Sequence, residues 1–317
     1  MPPPPSSVTH INYQGWSDAI LLSNGLVEAV IVPAVGRVMQ FRFAGSPDGP
    51  FWENPALWGQ RPRPGSEDWA NFGGDKAWPA PQTDWKRLAL RDWPPPQSFD
   101  GLPMKVVIDG PTVTLIAPED PGFGMRVRRR IELAPDRPVM VITTSFEKTK
   151  GPPLETGVWV ITQLKDPIAV YAPLPDSAPA GAGFVRQSED LPTKLKRHNG
   201  LLSLTRDPQK NHKIGALAGT LVWVGPSESV RIDSALVSGR RYPDDGCSAE
   251  VYTNADPLTY VELELLGPLT RLATGERTER VSSYTLAHRA DSDPEADARR
   301  LLAGDSGPAR SAESPRP

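Results

Sequence analysis

Apolar and polar residues alternate with a period of two in several segments of this chain of 317 residues. In residues 125–133, four apolar side chains share one face with Arg129, while three arginines and a glutamate occupy the other. Such alternation is typical of a β-strand with one solvated face. Dipeptides that favour hairpin turns join apolar runs at Asn24-Gly25, Asp109-Gly110 and Asn199-Gly200. Because the interior shows no long helical pattern, the sequence predicts an antiparallel all-β protein.

The composition divides the chain into three parts. Residues 1–9 form a proline-rich lead that we expect to be disordered, and residues 10–288 carry the strand signals of one large domain. In residues 289–317, Asp293 and Pro294 are suited to begin a short helix over 295–303, Gly304 to end it, and the rest to form a flexible tail. The sequence therefore predicts a large antiparallel β-sandwich with a short C-terminal helix.

Bulk properties exclude several classes of function. A net charge of -3 argues against a nucleic-acid partner, and no apolar stretch approaches the ~20 residues of a membrane-spanning helix. One cysteine and four scattered histidines argue against a metal site, and the absence of nucleotide-binding motifs predicts no cofactor. The first residues lack the basic and apolar regions of a signal peptide, so we expect a cytoplasmic protein.

Six of the nine tryptophans fall in residues 52–93, among many prolines and glycines. One interpretation is a small core that anchors a long loop to the sheet. The other is a sugar site, in which aromatic rings stack on the ligand and nearby polar groups bind its hydroxyls. The candidate site residues in this segment are Trp69, Asn71, Asp75, Lys76, Trp78 and Gln82.

The segment 260–266 alternates cleanly, with Tyr260, Glu262 and Glu264 on the face opposite the predicted core. Two carboxylates spaced two residues apart on a strand lie about 6.6 Å apart. Such a pair is able to perform general acid–base chemistry. The alternative is that both carboxylates are simply solvated.

Two further segments carry polar candidates. In Asn211-His212-Lys213, a histidine beside a lysine could supply a proton near neutral pH, although an exposed turn explains the same residues. Residues 242–246 have strong turn chemistry and are followed by Glu250, a candidate for sugar binding.

Several segments resemble a bacterial family of unknown function within the galactose-mutarotase-like superfamily. Residues 24–38 resemble the entry strands of that superfamily. Residues 69–82, Trp-Ala-Asn-Phe-Gly-Gly-Asp-Lys-Ala-Trp-Pro-Ala-Pro-Gln, and residues 242–254 resemble signatures of the narrower family. Residues 261–276 resemble the stretch in which aldose epimerases carry a catalytic glutamate before a Pro-Gly-Glu turn. The resemblance spans about residues 19–288.

The resemblance implies a galactose-mutarotase-like super-sandwich with a concave, sugar-binding face and a saccharide as its partner. It places the catalytic base at Glu264, with Glu262 in reserve. In aldose epimerases, the acid is a histidine in an Asn-His motif that is followed by aromatic residues. Here Asn211-His212 is followed by Lys213-Ile214-Gly215 instead. The acid therefore stays open among Lys76, Lys213 and His212.

Carbohydrate binding, with aldose epimerisation as its catalytic form, is the function that these features predict. A non-catalytic sugar-binding or sensor domain is one alternative. A glycoside hydrolase or lyase on the same scaffold is the other, and it would require a second acid or base across the cleft from Glu264.

Overall fold

A computed structural model of the chain describes residues 6–63, 65–66, 68–174 and 183–304. The strands among these residues are, in chain order, β1 (Ser7–Tyr13), β2 (Trp16–Ser23), β3 (Val27–Val32), β4 (Arg37–Phe43), β5 (Asp75–Ala80), β6 (Lys105–Asp109), β7 (Thr112–Ile116), β8 (Met125–Leu133), β9 (Val139–Lys148), β10 (Leu154–Lys165), β11 (Ala169–Pro173), β12 (Val185–Arg186), β13 (Lys196–His198), β14 (Leu201–Leu204), β15 (His212–Ala216), β16 (Thr220–Val224), β17 (Glu228–Asp233), β18 (Ala249–Thr253), β19 (Tyr260–Leu266), β20 (Thr270–Leu272) and β21 (Arg277–His288). Two helices, α1 (Trp85–Ala89) and α2 (Pro294–Ala303), a single helical turn at Pro243–Gly246 and three short 3-10 turns at Pro33–Val35, Pro55–Leu57 and Gln82–Asp84 complete the regular structure of the described residues.

The strands form two antiparallel sheets, which confirms the predicted all-β sandwich. The larger sheet has 11 strands in the order β1-β2-β3-β4-β5-β10-β19-β18-β15-β12, with β20 paired to β10. The smaller has 10 strands in the order β13-β14-β11-β16-β17-β21-β9-β8-β7-β6. The three predicted hairpin turns connect β2 to β3, β6 to β7 and β13 to β14.

The start of the chain departs from expectation. Residues 7–9, which we placed in the disordered lead, begin β1 instead. Ser7 pairs with Ser23 and Val8 with Leu22, so β2 supplies ladder partners, and the side chain of Val8 packs against the core. Pairing and burial together offset the entropy of ordering these residues. Residues 1–5 of the lead and the tail from 305 onward lie outside the described residues.

The predicted C-terminal helix is confirmed as α2. The Asp293 side chain caps it by accepting a hydrogen bond from the backbone N–H of Glu295 at 3.0 Å. Ala298 and Leu301 are buried in an apolar cluster with residues of β11, β14 and β16. In the described part of the chain, no helix is long and apolar enough to cross a membrane.

The main core lies between the sheets and draws apolar side chains from both. Arg129, predicted on the core face of β8, is buried there and forms an ion pair with Asp75 of β5. Asp75 also accepts hydrogen bonds from Thr162 at 2.6 Å and from the Tyr284 hydroxyl at 2.7 Å. This network joins the larger sheet to the smaller one and leaves the opposite face of β5 and β10 available for other contacts.

Candidate functional site

The candidate site lies on the face of the larger sheet that points away from the smaller sheet. Directly paired residues of antiparallel strands point to the same side. The register therefore places five residues in one row across five strands, namely Lys76, Ile161, Glu264, Glu250 and Gly215. Residues from distant parts of the sequence thus lie side by side across the larger sheet.

A second row runs beside the first and contains Gln163, Glu262, Tyr252 and Lys213. Glu262 and Glu264 are both buried, although their strand alternates as a half-solvated strand would. The alternative interpretation, in which both carboxylates are simply solvated, is therefore wrong. Other side chains of this face take the place of water around them.

Lys213 joins two carboxylates at the centre of the site. Its Nζ lies 2.7 Å from Oε2 of Glu250 and 3.0 Å from Oε2 of Glu264. The same Glu264 oxygen accepts a hydrogen bond from the Trp159 indole at 2.6 Å, and Glu250 accepts one from Gln187 at 2.6 Å. The second oxygen of Glu264, Oε1, is buried and has no hydrogen-bond partner among the described residues. One carboxylate oxygen thus remains free to accept a proton.

Burial and charge act together on this cluster. Burial raises the pKa of Glu264 well above its ordinary value, and the nearby charges of Glu250 and Glu262 add to that effect. Burial by itself would lower the pKa of Lys213, but the two carboxylates outweigh it and raise that pKa. Lys213 therefore stays charged, while Glu264 holds a proton more readily than an exposed glutamate does.

Lys76 and Glu262 form a neighbouring ion pair, with 3.2 Å between Nζ and Oε1. The Lys76 ammonium also lies over two indole rings, 4.8 Å from the Trp78 centroid and 5.5 Å from that of Trp69. Burial lowers the pKa of Lys76, and the charge of Glu262 opposes this only in part. Lys76 consequently gives up its proton more readily than Lys213.

Five tryptophans form the aromatic wall of the site, Trp69, Trp78, Trp85, Trp93 and Trp159. Most contacts are edge-to-face, including Trp69 with Trp93 at 4.9 Å and Trp78 with Trp159 at 5.3 Å between centroids. Trp85 is fully buried and donates to the Pro79 carbonyl. Trp85 thus agrees with the interpretation of an anchored loop, whereas the interpretation of a sugar site stays a prediction, for which the partly exposed Trp93 is available.

An open cleft of about 520 Å³ lies beside this wall. Trp159, Lys213 and Glu250 line it from the sheet, and Gln82 lines it from the loop after β5. Glu264 lies directly beneath this lining through its contacts with Trp159 and Lys213. The volume is within the usual range for small-molecule sites.

No family model matches the chain, and no curated protein matches it in sequence. Solved structures do match its fold. A galactose mutarotase-like protein from Lactobacillus casei gives a TM-score of 0.58 at 10% identity, over 85% of this chain and 100% of that one. A candidate aldose 1-epimerase from Escherichia coli K12 gives 0.54 at 14%, over 84% and 98%. A candidate mutarotase from Salmonella typhimurium gives 0.56 at 13%, over 90% and 95%.

The chain has the galactose mutarotase-like fold. At these identities the likeness concerns the fold alone, so membership of the narrower family of unknown function stays a prediction.

Within this mutarotase-like sandwich, two expected site residues lie elsewhere. Asp75 is on the core face, in the network with Arg129, because it directly precedes Lys76 on β5 and neighbours on a strand point to opposite faces. His212 likewise directly precedes Lys213 on β15, so the two side chains point to opposite faces of the sheet. Its ring contacts Asp207 at 3.2 Å and the Asp190 carbonyl at 3.3 Å, away from the Lys213 ammonium.

The fold brings the other expected residues to one face in two groups. Glu264, Glu250 and Lys213 form the first, with Gln82 on the rim of the same cleft. The second group contains Lys76, Glu262, Trp69 and Trp78. Asn71 is buried near the far end of the second row, beside Tyr260, whose pKa burial raises.

Sequence reasoning missed seven of the described residues that line the cleft, including Trp159, Gln187 and Asp244. Trp159 belongs to a strand that is apolar on both faces, so alternation gives no sign of its role. Asp244 was assigned only to a turn. In the structure, Asp244 and Asp245 both adopt left-handed backbone conformations, with φ of 51° and 60°, and both line the cleft.

Asp244 makes the stability of the protein depend on pH. Burial raises the pKa of Asp244 to about 6, with a further contribution from Glu250. The folded state therefore binds more protons than the unfolded state from about pH 4 to pH 6, and stability falls as pH rises through that window. We expect Asp244→Asn to unfold at higher urea concentration than the wild type above pH 6, with no difference below pH 4.

Asp245→Asn is the matched control, because asparagine tolerates the left-handed conformation at both positions. Asp245 is exposed, so its replacement is expected to change the urea midpoint little at either pH. Equal responses of the two variants would contradict the role assigned to Asp244 burial.

Proposed function

We propose that the chain binds a saccharide at the cleft beside Trp159 and interconverts its anomers with Glu264 as general base. The observation that carries this proposal is the state of the Glu264 carboxylate. Trp159 and Lys213 hold its Oε2, while its buried Oε1 has no partner in the part of the chain that the structure describes. A buried carboxylate oxygen without a donor is costly, and such groups occur at sites that bind or react.

The surroundings also suit a sugar. Apolar indole faces beside a few convergent polar groups are what a small polar ligand requires. Trp93 exposes its ring at the edge of the wall, and Gln187, Glu250 and Asp244 offer hydrogen bonds at the cleft. The solved structures of the same fold include proteins described as mutarotase-like, which supports the same class of ligand.

Anomerisation requires a donor for the ring oxygen as well as a base for the anomeric hydroxyl. His212 contacts Asp207 rather than the cluster, and the raised pKa of Lys213 makes it a poor donor. Lys76 is on the same face as Glu264, two strand spacings away in the same row, and its pKa is lowered. We assign the donor role to Lys76.

Binding without catalysis is the second candidate function. One observation favours it, since Lys76 and Glu264 are each only 1% exposed and neither is among the described residues that line the cleft. A glycoside hydrolase fits less well. Its two carboxyl groups flank the scissile bond, whereas Glu264 and Glu250 are adjacent on neighbouring strands and share one ammonium.

Saccharide binding is tested through Trp93, which is 47% exposed and whose removal should leave the core intact. If a sugar stacks on this wall, titration with aldoses should change the intrinsic fluorescence saturably. Trp93→Ala is expected to weaken binding by about 1–3 kcal/mol, which is typical of stacking on an aromatic ring.

Trp58→Ala provides the control, because Trp58 is 40% exposed and its backbone lies near Gly15, at the β1–β2 hairpin. It should bind every sugar as the wild type does. Absence of any saturable response in the wild type across neutral, amino and acidic sugars would remove the proposed ligand class.

A further inference from the structure

A second cleft, of about 270 Å³, has none of its described lining residues in common with the cleft beside Trp159. It lies where β9 ends, next to α1. Its charged lining residues are Arg87, Lys148 and Lys150, and none of the described carboxylates lines it. Three glycines, at 122, 124 and 151, form part of its wall.

Lys148 is the unusual member of this group. The residue is 3% exposed, and its Nζ donates a hydrogen bond to the Phe123 carbonyl at 2.6 Å. Arg87 pairs with Asp84 at 3.3 Å and Lys150 with Glu119 at 2.5 Å. Within the described ranges, no carboxylate forms an ion pair with Lys148. A buried ammonium without a counter-ion costs stability.

The glycines leave this ammonium open to approach. A Cβ on Gly124 would lie 3.1 Å from Lys148 Nζ, and one on Gly151 would lie 3.7 Å from it. Any other residue at these positions would cover the ammonium with a side chain. Both glycines also have positive φ, of 55° and 82°, which suits them to this wall.

We propose that this cleft binds a small oxyanion, such as inorganic phosphate, on the ammonium of Lys148, with Lys150 and Arg87 at the rim. An anion would supply the counter-charge that Lys148 lacks, and lysine binds phosphate as a point charge. The volume is below the usual range for sites that enclose larger ligands, so the cleft suits a free anion better than a sugar ring.

Phosphate titration of the intact chain tests this site without reference to any sugar. At constant ionic strength, phosphate is expected to raise the melting temperature saturably, while chloride does not. In ¹H–¹⁵N spectra, the backbone amides of Gly122, Gly124 and Gly151 should shift with one common dissociation constant. A response to phosphate no larger than that to chloride would overturn the proposal.

Lys148→Met removes the ammonium and keeps an unbranched apolar chain. It is expected to fold, to melt no lower than the wild type without phosphate, and to bind phosphate at least tenfold more weakly. Wild-type affinity in this variant would refute the assignment. If the variant does not fold, the amide shifts of the wild type on phosphate titration decide whether phosphate binds at this cleft.

Two further comparisons sharpen the test. Lys165→Met removes a lysine that forms an ion pair with Asp48 and is not among the described residues that line this cleft. It should leave phosphate binding unchanged. Glucose 6-phosphate distinguishes a free anion from the phosphoryl group of a sugar. From the shifts of the three glycine amides, its affinity should be at least tenfold lower than that of phosphate. Equal affinity would contradict a site for the free anion.

Discussion

Glu264→Gln is expected to leave the chain folded and to slow the anomerisation of an aldose by about 100-fold or more, as the loss of a general base does. The substitution changes shape little, and the Trp159 indole still finds an amide oxygen as acceptor. What disappears is the carboxylate oxygen that would take the proton of the anomeric hydroxyl. Polarimetry or exchange NMR on freshly dissolved α-glucose and α-galactose measures the rate.

The pH profile supplies an independent measurement. Glu264 must be ionised to act as a base, and its pKa is raised by burial. The rate should therefore fall on the acid side with a midpoint above the ordinary glutamate value of about 4.3. A midpoint at or below that value would contradict the buried base.

Glu250→Gln is the matched control for Glu264→Gln, because each variant removes one buried carboxylate from the same lysine. Glu250 lines the cleft, so its loss is expected to weaken sugar binding more than it slows turnover. Retention of the wild-type rate by Glu264→Gln would place the base elsewhere. If the wild type is no faster than buffer but still binds sugars, binding without catalysis becomes the function.

Local sequence patterns predicted the fold well, because strands and hairpins are encoded by neighbouring residues. The three glycine-containing turns and the helix cap at Asp293 each depend on local backbone chemistry. The burial of Glu262 and Glu264 could not be predicted from local sequence patterns. Their strand alternates like a half-solvated one, and only the packing of distant segments covers its polar face.

The two misplaced site residues follow from strand periodicity. Lys76 and Lys213 point to the site face, so the residue that precedes each of them, Asp75 or His212, points to the core. Assigning strands to both segments would have separated these pairs from sequence alone. Trp159 is different, because an apolar run that is buried on both faces does not reveal which face meets a ligand.

Asp75→Asn is expected to lower the free energy of unfolding by about 3–5 kcal/mol, the usual cost of removing one partner of a buried ion pair. The variant keeps the size of the side chain but leaves the Arg129 guanidinium buried without its counter-charge. It also disturbs the hydrogen bonds from Thr162 and Tyr284, which join the two sheets. Urea denaturation measures the loss, which is a large share of the 5–15 kcal/mol typical of a domain.

Asp48→Asn removes the same charge from an exposed pair with Lys165 and is expected to cost no more than about 1 kcal/mol. The double variant Asp75→Asn, Arg129→Met removes both buried charges and should be more stable than Asp75→Asn alone, because no unpaired guanidinium remains. An Asp75→Asn variant as stable as Asp48→Asn would show that the network does not hold the sheets together. If Asp75 instead bound substrate, as its place in the sequence suggested, the variant would lose sugar affinity without losing stability.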